Sequence, residues 1–117
     1  MSNGSFQWWI FEADLNPVRG SEQRGRRPVL VISREVINQR IPVLTILPIT
    51  SLKKARKVYP TEVLLKRDIA GLKRDSLVMA HQIRTISKER LVKRVGFLKD
   101  EILRNKIREA IKIQIDL

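Results

Sequence analysis

Short apolar runs, separated by polar and charged segments, divide most of the chain into pieces of strand length. The run from Pro28 to Ser33 is almost continuously apolar and too short for a helix, which is typical of a buried strand. Within the segment Gln7–Leu15, Trp9 and Phe11 are separated by one residue, so a strand places both side chains on one face. Both segments are therefore predicted to be strands.

Several further segments have the length and β-favouring composition of strands: Val43–Thr50, Thr61–Leu65, Ser76–Ala80, Ile83–Ile86 and Leu91–Phe97. Pro48 removes a backbone donor from one of them, which predicts a sheet edge or a bulge at that point. The polar segment Arg34–Arg40 is compatible with a short helical turn. Gly71 predicts a turn, and Gly96 predicts a bulge in the last strand.

The C-terminal part changes to helical spacing after Lys99, with apolar residues at Leu103, Ile107, Ala110 and Ile111. Two acidic residues in the first turn complement the helix dipole. After Ile111 the apolar residues alternate with polar ones, so we expect the helix to end near Lys112. Many short strands followed by one helix favour a small, strongly bent antiparallel sheet or barrel. The length, 117 residues, predicts a single domain over 1–117.

Charge narrows the range of partners. The chain has 24 Lys and Arg against 12 Asp and Glu, a formal charge of +12. Such an excess favours a polyanionic partner, RNA or DNA before an anionic membrane, because no amphipathic anchor is visible. No run reaches the length of a membrane span and no signal peptide is evident. The absence of cysteine rules out disulfides and thiolate metal sites and suits a reducing cytoplasm.

Two basic loops stand out. The first, Gly20–Arg27, contains no apolar residue and joins directly to the strand that starts at Pro28, with Arg26 and Arg27 at the junction. Pro28 biases Arg27 toward an extended backbone. The second loop is Lys53–Lys57. From the residues alone, each loop is either a solvated connection or a binding surface on a rigid scaffold.

Four stretches in one order resemble the MazF/PemK-type toxins of bacterial toxin–antitoxin systems. They are WIFEADLNPVRG from Trp9, GSEQ followed by RPVLVIS, PIT from Pro48, and GLKRDSLVMAHQIRTISKERL from Gly71; GFLKDEILRNKIREAI fits the family's closing helix. The resemblance implies an SH3-like antiparallel β-barrel with a C-terminal α-helix, paired as a homodimer. It also implies a cytoplasmic protein that is inhibited by an acidic antitoxin protein.

The residues favour chemistry without a metal or cofactor. One histidine, no cysteine and scattered carboxylates make a usual metal site unlikely on composition, and no phosphate-binding glycine motif is present. RNA can be cut by its own 2′-hydroxyl, giving a 2′,3′-cyclic phosphate and a 5′-hydroxyl. The resemblance places the family's catalytic arginine at Arg27 and its catalytic threonine at Thr50. Since arginine stays protonated, Arg27 is expected to stabilise phosphoryl charge, with proton donation to the leaving oxygen as a second role. From the residues alone, a strand-end hydroxyl that caps a turn is the alternative for Thr50.

The resemblance implies that Ser21, Glu22, Gln23 and Gln82 lie close to the RNA, and four further residues are expected to bind it: Arg24, Arg26, Lys53 and His81. Glu22 and Gln82 carry groups that can read base edges. At His81 members of the family often have an acidic residue; the histidine either changes base preference, joins proton transfer, or is only exposed and hydrogen-bonded. Tyr59 is expected at the edge of the core, with base stacking as the alternative.

The most concrete hypothesis is a sequence-specific, metal-independent endoribonuclease toxin that cleaves single-stranded mRNA and inhibits translation. A gyrase-targeting toxin of the CcdB type shares the fold, but that mode uses a C-terminal tryptophan and isoleucine. This chain ends in Ile115-Asp116-Leu117. A non-catalytic RNA-binding barrel is the third alternative, and the presence of both Arg27 and Thr50 argues against it.

Overall fold

The computed structural model describes residues 4–53 and 56–117. Its strands are β1 (Trp9–Asp14), β2 (Arg26–Val31), β3 (Val43–Ser51), β4 (Glu62–Leu65), β5 (Ser76–Met79), β6 (Arg84–Ser87) and β7 (Leu91–Phe97). Its α-helices are α1 (Glu35–Asn38) and α2 (Glu101–Ile115), and short 3₁₀ turns occupy Ile69–Gly71, Ala80–Gln82 and Lys88–Arg90. The prediction of a mainly antiparallel β protein with a C-terminal helix is confirmed.

The sheet bends around its longest strand. Its order is β4-β5-β3-β2-β1-β7, and β6 pairs with β3 outside this path. On one side β3 pairs with β2; on the other it pairs with β6 through residues 43–46 and with β5 through residues 49–51. Because the two halves of β3 carry different partners, the sheet has a barrel-like shape. The described strands do not form a closed ring.

Pro48 lies in the middle of this sheet, so the prediction of an edge or a bulge there is wrong. The pairing of β3 with β2 runs through Pro48, opposite Val29, without a shift in register. The pairing with β6 ends at Ile46 and that with β5 begins at Ile49. Pro48 therefore lies where the partner strand changes, and a missing backbone donor interrupts neither ladder there.

Two apolar clusters cover opposite faces of the sheet. Phe11 and Ala13 belong to one cluster with Val29 and Ile46, and Trp9 packs against it, which confirms the predicted shared face of β1. The other cluster contains Ile10 and is covered by α2 through Ile107. Ile107 is fully buried, and burial of such a side chain contributes about 1.5–3 kcal/mol.

Helix α2 extends to Ile115, three residues past the predicted end at Lys112. The Asp100 side chain caps its start by accepting the Ile102 and Leu103 N–H groups at 2.8 and 3.1 Å. The alternation at Ile113 and Ile115 does not mark a strand, because both side chains are exposed. Continuing the helix satisfies the backbone groups of this segment without a partner strand.

Gly96 marks an irregularity in β7, as predicted. Ile10 pairs with Gly96 but Phe11 pairs with Arg94, which leaves Val95 as the extra residue of a bulge. The turn at residues 69–71 presses against this point: a Cβ atom on Gly96 would lie 2.1 Å from the Ala70 carbonyl oxygen. Only glycine fits there.

Candidate active site

Backbone pairing with β1 and the residue after it fixes the C-terminal end of the first basic loop. Pairing of β1 with β2 reaches Asp14 and Arg26, and the Leu15 N–H donates to the Gly25 carbonyl at 3.0 Å. Strand β2 therefore starts two residues earlier than predicted, and Arg26 and Arg27 are strand residues rather than loop residues. The two charged residues lack the apolar signal from which a strand is predicted. Backbone pairing with β1 does not need that signal, so the strand includes them.

Strand alternation separates the two arginines. Arg26 projects toward Glu12, with 3.8 Å between the guanidinium and the carboxylate, and remains largely exposed. Arg27 belongs to the face that carries Val29. It is half-buried, and its Nε donates to the Arg24 carbonyl at 2.8 Å. In the described part of the chain Arg27 makes no ion pair with a carboxylate, so its charge can serve an incoming anion.

Arg27 and Thr50 occupy corresponding ends of neighbouring strands. The paired register of β2 and β3 ends at Val29 opposite Pro48. Arg27 and Thr50 each lie two residues beyond that pair, and side chains two apart on a strand share a face. The topology therefore brings the two predicted catalytic residues to one face at one end of the strand pair.

A polar cleft of about 760 Å³ opens beside Thr50 and gathers half of the predicted site residues: Gln23, Thr50, Lys53, His81 and Gln82. We call it the candidate cleft. Its other walls include Arg56, Tyr59 and Glu62. Arg27 and Arg26 do not line it, nor do the loop residues Ser21, Glu22 and Arg24.

Some of those loop residues shape the loop itself. The Glu22 carboxylate accepts the Arg19 N–H at 2.5 Å, and the Arg24 guanidinium donates to the Gly20 carbonyl at 2.7 Å. Such local contacts fix the backbone turn. The side chain of Glu22 is thus engaged in the loop rather than directed at the candidate cleft.

Gln82 joins the loop to the junction between β5 and β6. Its Nε2 donates to the Ser21 carbonyl at 3.2 Å, and its Oε1 accepts the Gln23 N–H at 3.4 Å. The nitrogen and the oxygen of the Gln82 side-chain amide therefore both contact the loop backbone. Gln23 Oε1 is buried and has no hydrogen-bond partner among the described residues.

Sequence reasoning missed an ion pair in the wall of the candidate cleft. Arg56 donates to both carboxylate oxygens of buried Glu62, at 3.1 and 2.8 Å, and the Tyr59 N–H adds a third bond at 3.1 Å. The Arg56 hydrogen bonds lower the pKa of Glu62, although burial opposes the shift. Arg56 belongs to the second basic loop, whose Lys54 and Ala55 lie outside the described residues, and nothing in that charge run marks one residue as a partner of Glu62.

Tyr59 and His81 both lie at the candidate cleft. Tyr59 is 54% exposed, so the expectation that it packs at the edge of the core is wrong. The Arg56 guanidinium lies 5.9 Å from its ring centroid. His81 is exposed, and its Nδ1 forms a 3.0 Å hydrogen bond with the Thr61 hydroxyl. An exposed aromatic side chain and an exposed imidazole therefore lie at the same cleft.

No group of three or more histidine, cysteine or acidic side chains suited to a metal ion occurs over residues 4–53 and 56–117. Over the same ranges, no helix has the length and apolar character needed to cross a membrane.

These features define a class: a small barrel-like β protein with a C-terminal helix, in which cationic loops and strand ends surround a polar cleft. Residues 6–115 match the family of PemK-like, MazF-like toxins of type II toxin–antitoxin systems. The chain belongs to that family.

Similar proteins span nearly the whole chain. It is 41% identical over 109 residues to endoribonuclease EndoA of Bacillus subtilis, covering 92% of this chain and 91% of that protein. It is 35% identical over 108 residues to endoribonuclease MazF of Staphylococcus saprophyticus, with coverage of 92% and 88%. The crystal structure of MazF from Deinococcus radiodurans superposes with a TM-score of 0.81 at 24% identity, covering 99% and 100% of the chains.

Proposed function

We propose that this protein is an endoribonuclease toxin that cleaves single-stranded mRNA without a metal ion. The observation that carries the proposal is the placement of Arg27 and Thr50 on one face at one end of β2 and β3, beside a polar cleft. The names of the relatives, endoribonucleases EndoA and MazF, support the reaction class. Cleavage of mRNA in the cytoplasm would stop translation and growth.

In the proposed reaction the 2′-hydroxyl oxygen of one nucleotide attacks the adjacent phosphorus. The attacking hydroxyl releases its proton, the bond from phosphorus to the 5′ oxygen breaks, and that oxygen takes up a proton, which gives a 2′,3′-cyclic phosphate and a 5′-hydroxyl. Arg27 stabilises the charge that develops on the phosphoryl oxygens, because a guanidinium offers two parallel donors. Thr50 supplies a further hydrogen bond. His81 is the imidazole available in the candidate cleft to exchange the protons.

The chemistry of the cleavage products distinguishes this enzyme from a non-catalytic RNA-binding barrel. We therefore expect full cleavage of single-stranded RNA in excess EDTA, with 2′,3′-cyclic phosphate and 5′-hydroxyl ends mapped on each fragment. A matched reaction with the same RNA carrying 2′-O-methyl groups should give no product, because the nucleophile is blocked. Activity that disappears in EDTA and returns with Mg²⁺, or fragments with 5′-phosphates, would reject the proposal.

The proposed partner is an acidic antitoxin that inhibits a homodimer of this chain. A solved structure titled as an endoribonuclease in complex with its cognate antitoxin, from Mycobacterial species, has a TM-score of 0.77 at 22% identity over 96% of this chain. The formal charge of +12 favours a partner rich in carboxylates. A small acidic protein encoded beside this one is the first candidate to test.

A further inference from the structure

A second charged cleft adjoins the candidate cleft. It has a volume of about 780 Å³ and shares Ser51 and Lys53 with the candidate cleft. Its other walls come from the segment that connects β4 to β5, residues 66–68 and 73–75. We call it the basic cleft. Because Ser51 and Lys53 line both, the two clefts are neighbours at the end of β3.

Strand register explains why cations collect there. Ser51 of β3 pairs with Ser76 of β5, and Ser76 pairs with Leu65 of β4, so the three residues form one row across the sheet. The residues beyond that row leave the sheet at the same end. Asp75 fixes them: its carbonyl accepts the Leu52 N–H at 2.9 Å and its carboxylate accepts the Arg67 N–H at 2.8 Å.

The basic cleft has an excess of positive charge. It is lined by five cationic side chains, Lys53, Lys66, Arg67, Lys73 and Arg74, against two carboxylates. Asp75 is occupied by the backbone contact described above, and Asp68 lies 3.8 Å from the Arg67 guanidinium. Within residues 4–53 and 56–117, the two lysines of the β4–β5 connection, Lys66 and Lys73, form no ion pair. Their charges are exposed to solvent and available to an anion.

We propose that the basic cleft binds backbone phosphates of the RNA strand where it extends beyond the candidate cleft. The identity of the ligand as RNA rests on the proposed function. Among the described residues that line it, Leu52 is the only large apolar one, whereas a docked protein segment needs apolar contact in addition to charge. Lysine contacts to phosphates are independent of base sequence and release counterions. The basic cleft therefore adds affinity along the strand and leaves base selection to the candidate cleft.

Salt dependence of binding tests this proposal without requiring cleavage. The probe is a mixed-sequence 2′-O-methyl RNA, which keeps its phosphates and lacks the nucleophile. The Lys66→Gln/Lys73→Gln variant removes two phosphate contacts, so the slope of log affinity against log salt should fall by about 1.4. Between about 50 and 200 mM salt the wild-type protein should thus lose about sevenfold more affinity than the variant. Fluorescence anisotropy measures both quantities.

The matched control is Lys99→Gln/Lys106→Gln, which removes the same charge from exposed positions outside both clefts. It should keep the wild-type slope within a few tenths. A Lys66→Arg/Lys73→Arg variant retains the charge and should also keep that slope, which assigns the effect to charge.

The proposal is overturned if the variant and the control have equal slopes. It is also overturned if the variant binds RNA normally but loses affinity for polyglutamate, because the basic cleft would then serve an acidic protein. Failure of the nuclease proposal gives a different result. The wild-type protein then leaves unmodified RNA uncut, while the salt slope for binding is still lower in the Lys66→Gln/Lys73→Gln variant than in the wild type. Normal cleavage with an unchanged slope rejects the basic cleft alone.

Discussion

Arg27 is held in position before any substrate arrives. Its backbone pairs with Ala13 in β1, Pro28 restricts it to an extended conformation, and its Nε–H is anchored on the Arg24 carbonyl. A guanidinium fixed in this way loses little conformational entropy when a phosphate binds, and it need not reorganise as charge develops in the transition state.

We therefore expect Arg27→Ala to lower the rate of RNA cleavage far more than the affinity for RNA. Removal of one donor to the transition state typically costs a factor of about 10²–10³ in rate. Thr50→Ala should act in the same direction with a smaller factor, because a hydroxyl supplies a single neutral hydrogen bond. Single-turnover rates at saturating RNA separate the chemical step from binding.

The control for these variants is Lys53→Ala, which removes an exposed cation shared by the two clefts. This change should weaken binding, reduce the salt slope by about 0.7, and leave the saturated rate near normal. If Arg27→Ala instead binds poorly and cleaves normally once saturated, Arg27 is a phosphate anchor. The catalytic role would then have to be sought in the candidate cleft, first at His81.

For individual residues, the sequence predicts which side chains lie at the site better than it predicts what those side chains contact. Thr50, Lys53 and His81 were expected at the site and line the candidate cleft. Glu22 and Gln82 were expected to read bases; without RNA both side chains bond to loop backbone, and their base contacts stay a prediction. Their roles depend on which backbone groups the folded loop leaves unpaired, and a linear sequence does not contain that information.

At the scale of secondary-structure elements, the short helix α1 holds the N-terminal segment in place through hydrogen bonds. The Glu35 Oε1 accepts hydrogen bonds from the Phe6 and Gln7 N–H groups, each at 2.9 Å. The Glu35 N–H in turn donates to the Gln7 Oε1 at 3.0 Å. Burial tends to raise the pKa of Glu35, but hydrogen bonds from the Gln39 side chain and from these N–H groups outweigh it and lower the pKa. The ionised carboxylate is thus the form that the fold stabilises.

We expect Glu35→Gln to destabilise the protein by about 1 kcal/mol, since hydrogen bonds to a neutral oxygen are weaker than those to a carboxylate. The amides of Phe6 and Gln7 should exchange faster in hydrogen-exchange measurements, whereas the centre of α2 should not change. The control Glu89→Gln alters an exposed acid for which no side-chain bond occurs in the described structure.

The same contact predicts a pH dependence. Because the pKa of Glu35 is lower in the folded state, its stabilising contribution is complete above the ordinary carboxyl pKa and is lost as the pH falls through the lowered value. The stability difference between wild type and Glu35→Gln should therefore shrink in acid. A difference that stays constant or grows as the pH falls would show that the hydrogen bonds do not require the charge.

Element identity followed from apolar spacing, while some element ends and the strand partners did not. β7 was predicted with its observed ends, because apolar and polar residues mark both of them. The end of α2 was misplaced, since alternation at Ile113 and Ile115 suits a strand only where another strand is available. The position of Pro48 was misjudged because the change of partner along β3 is a property of the whole sheet.

Over the whole molecule, positive charge exceeds negative charge by 12 within a body of 39 × 33 × 31 Å. The Debye length is about 30 Å at 0.01 M salt and about 10 Å at 0.1 M. At low salt, cations on opposite sides of the protein therefore repel each other, whereas at 0.1 M only neighbours do. The unfolded chain spreads the same charges over a larger volume.

We accordingly expect the free energy of unfolding to rise with salt. Screening also weakens the surface ion pairs, but exposed pairs contribute only about 0.2–1 kcal/mol each, and the described pairs other than Arg56–Glu62 have both partners partly or largely exposed. Relief of the general repulsion should exceed that loss by about 1 kcal/mol, a rise of about 4 °C in Tm between low and moderate salt. Lys99→Gln/Lys106→Gln, which carries two fewer positive charges, should show a smaller rise. Calorimetric scans of both proteins that show Tm falling with salt would mean that the ion pairs, and not the net charge, dominate the electrostatics of this fold.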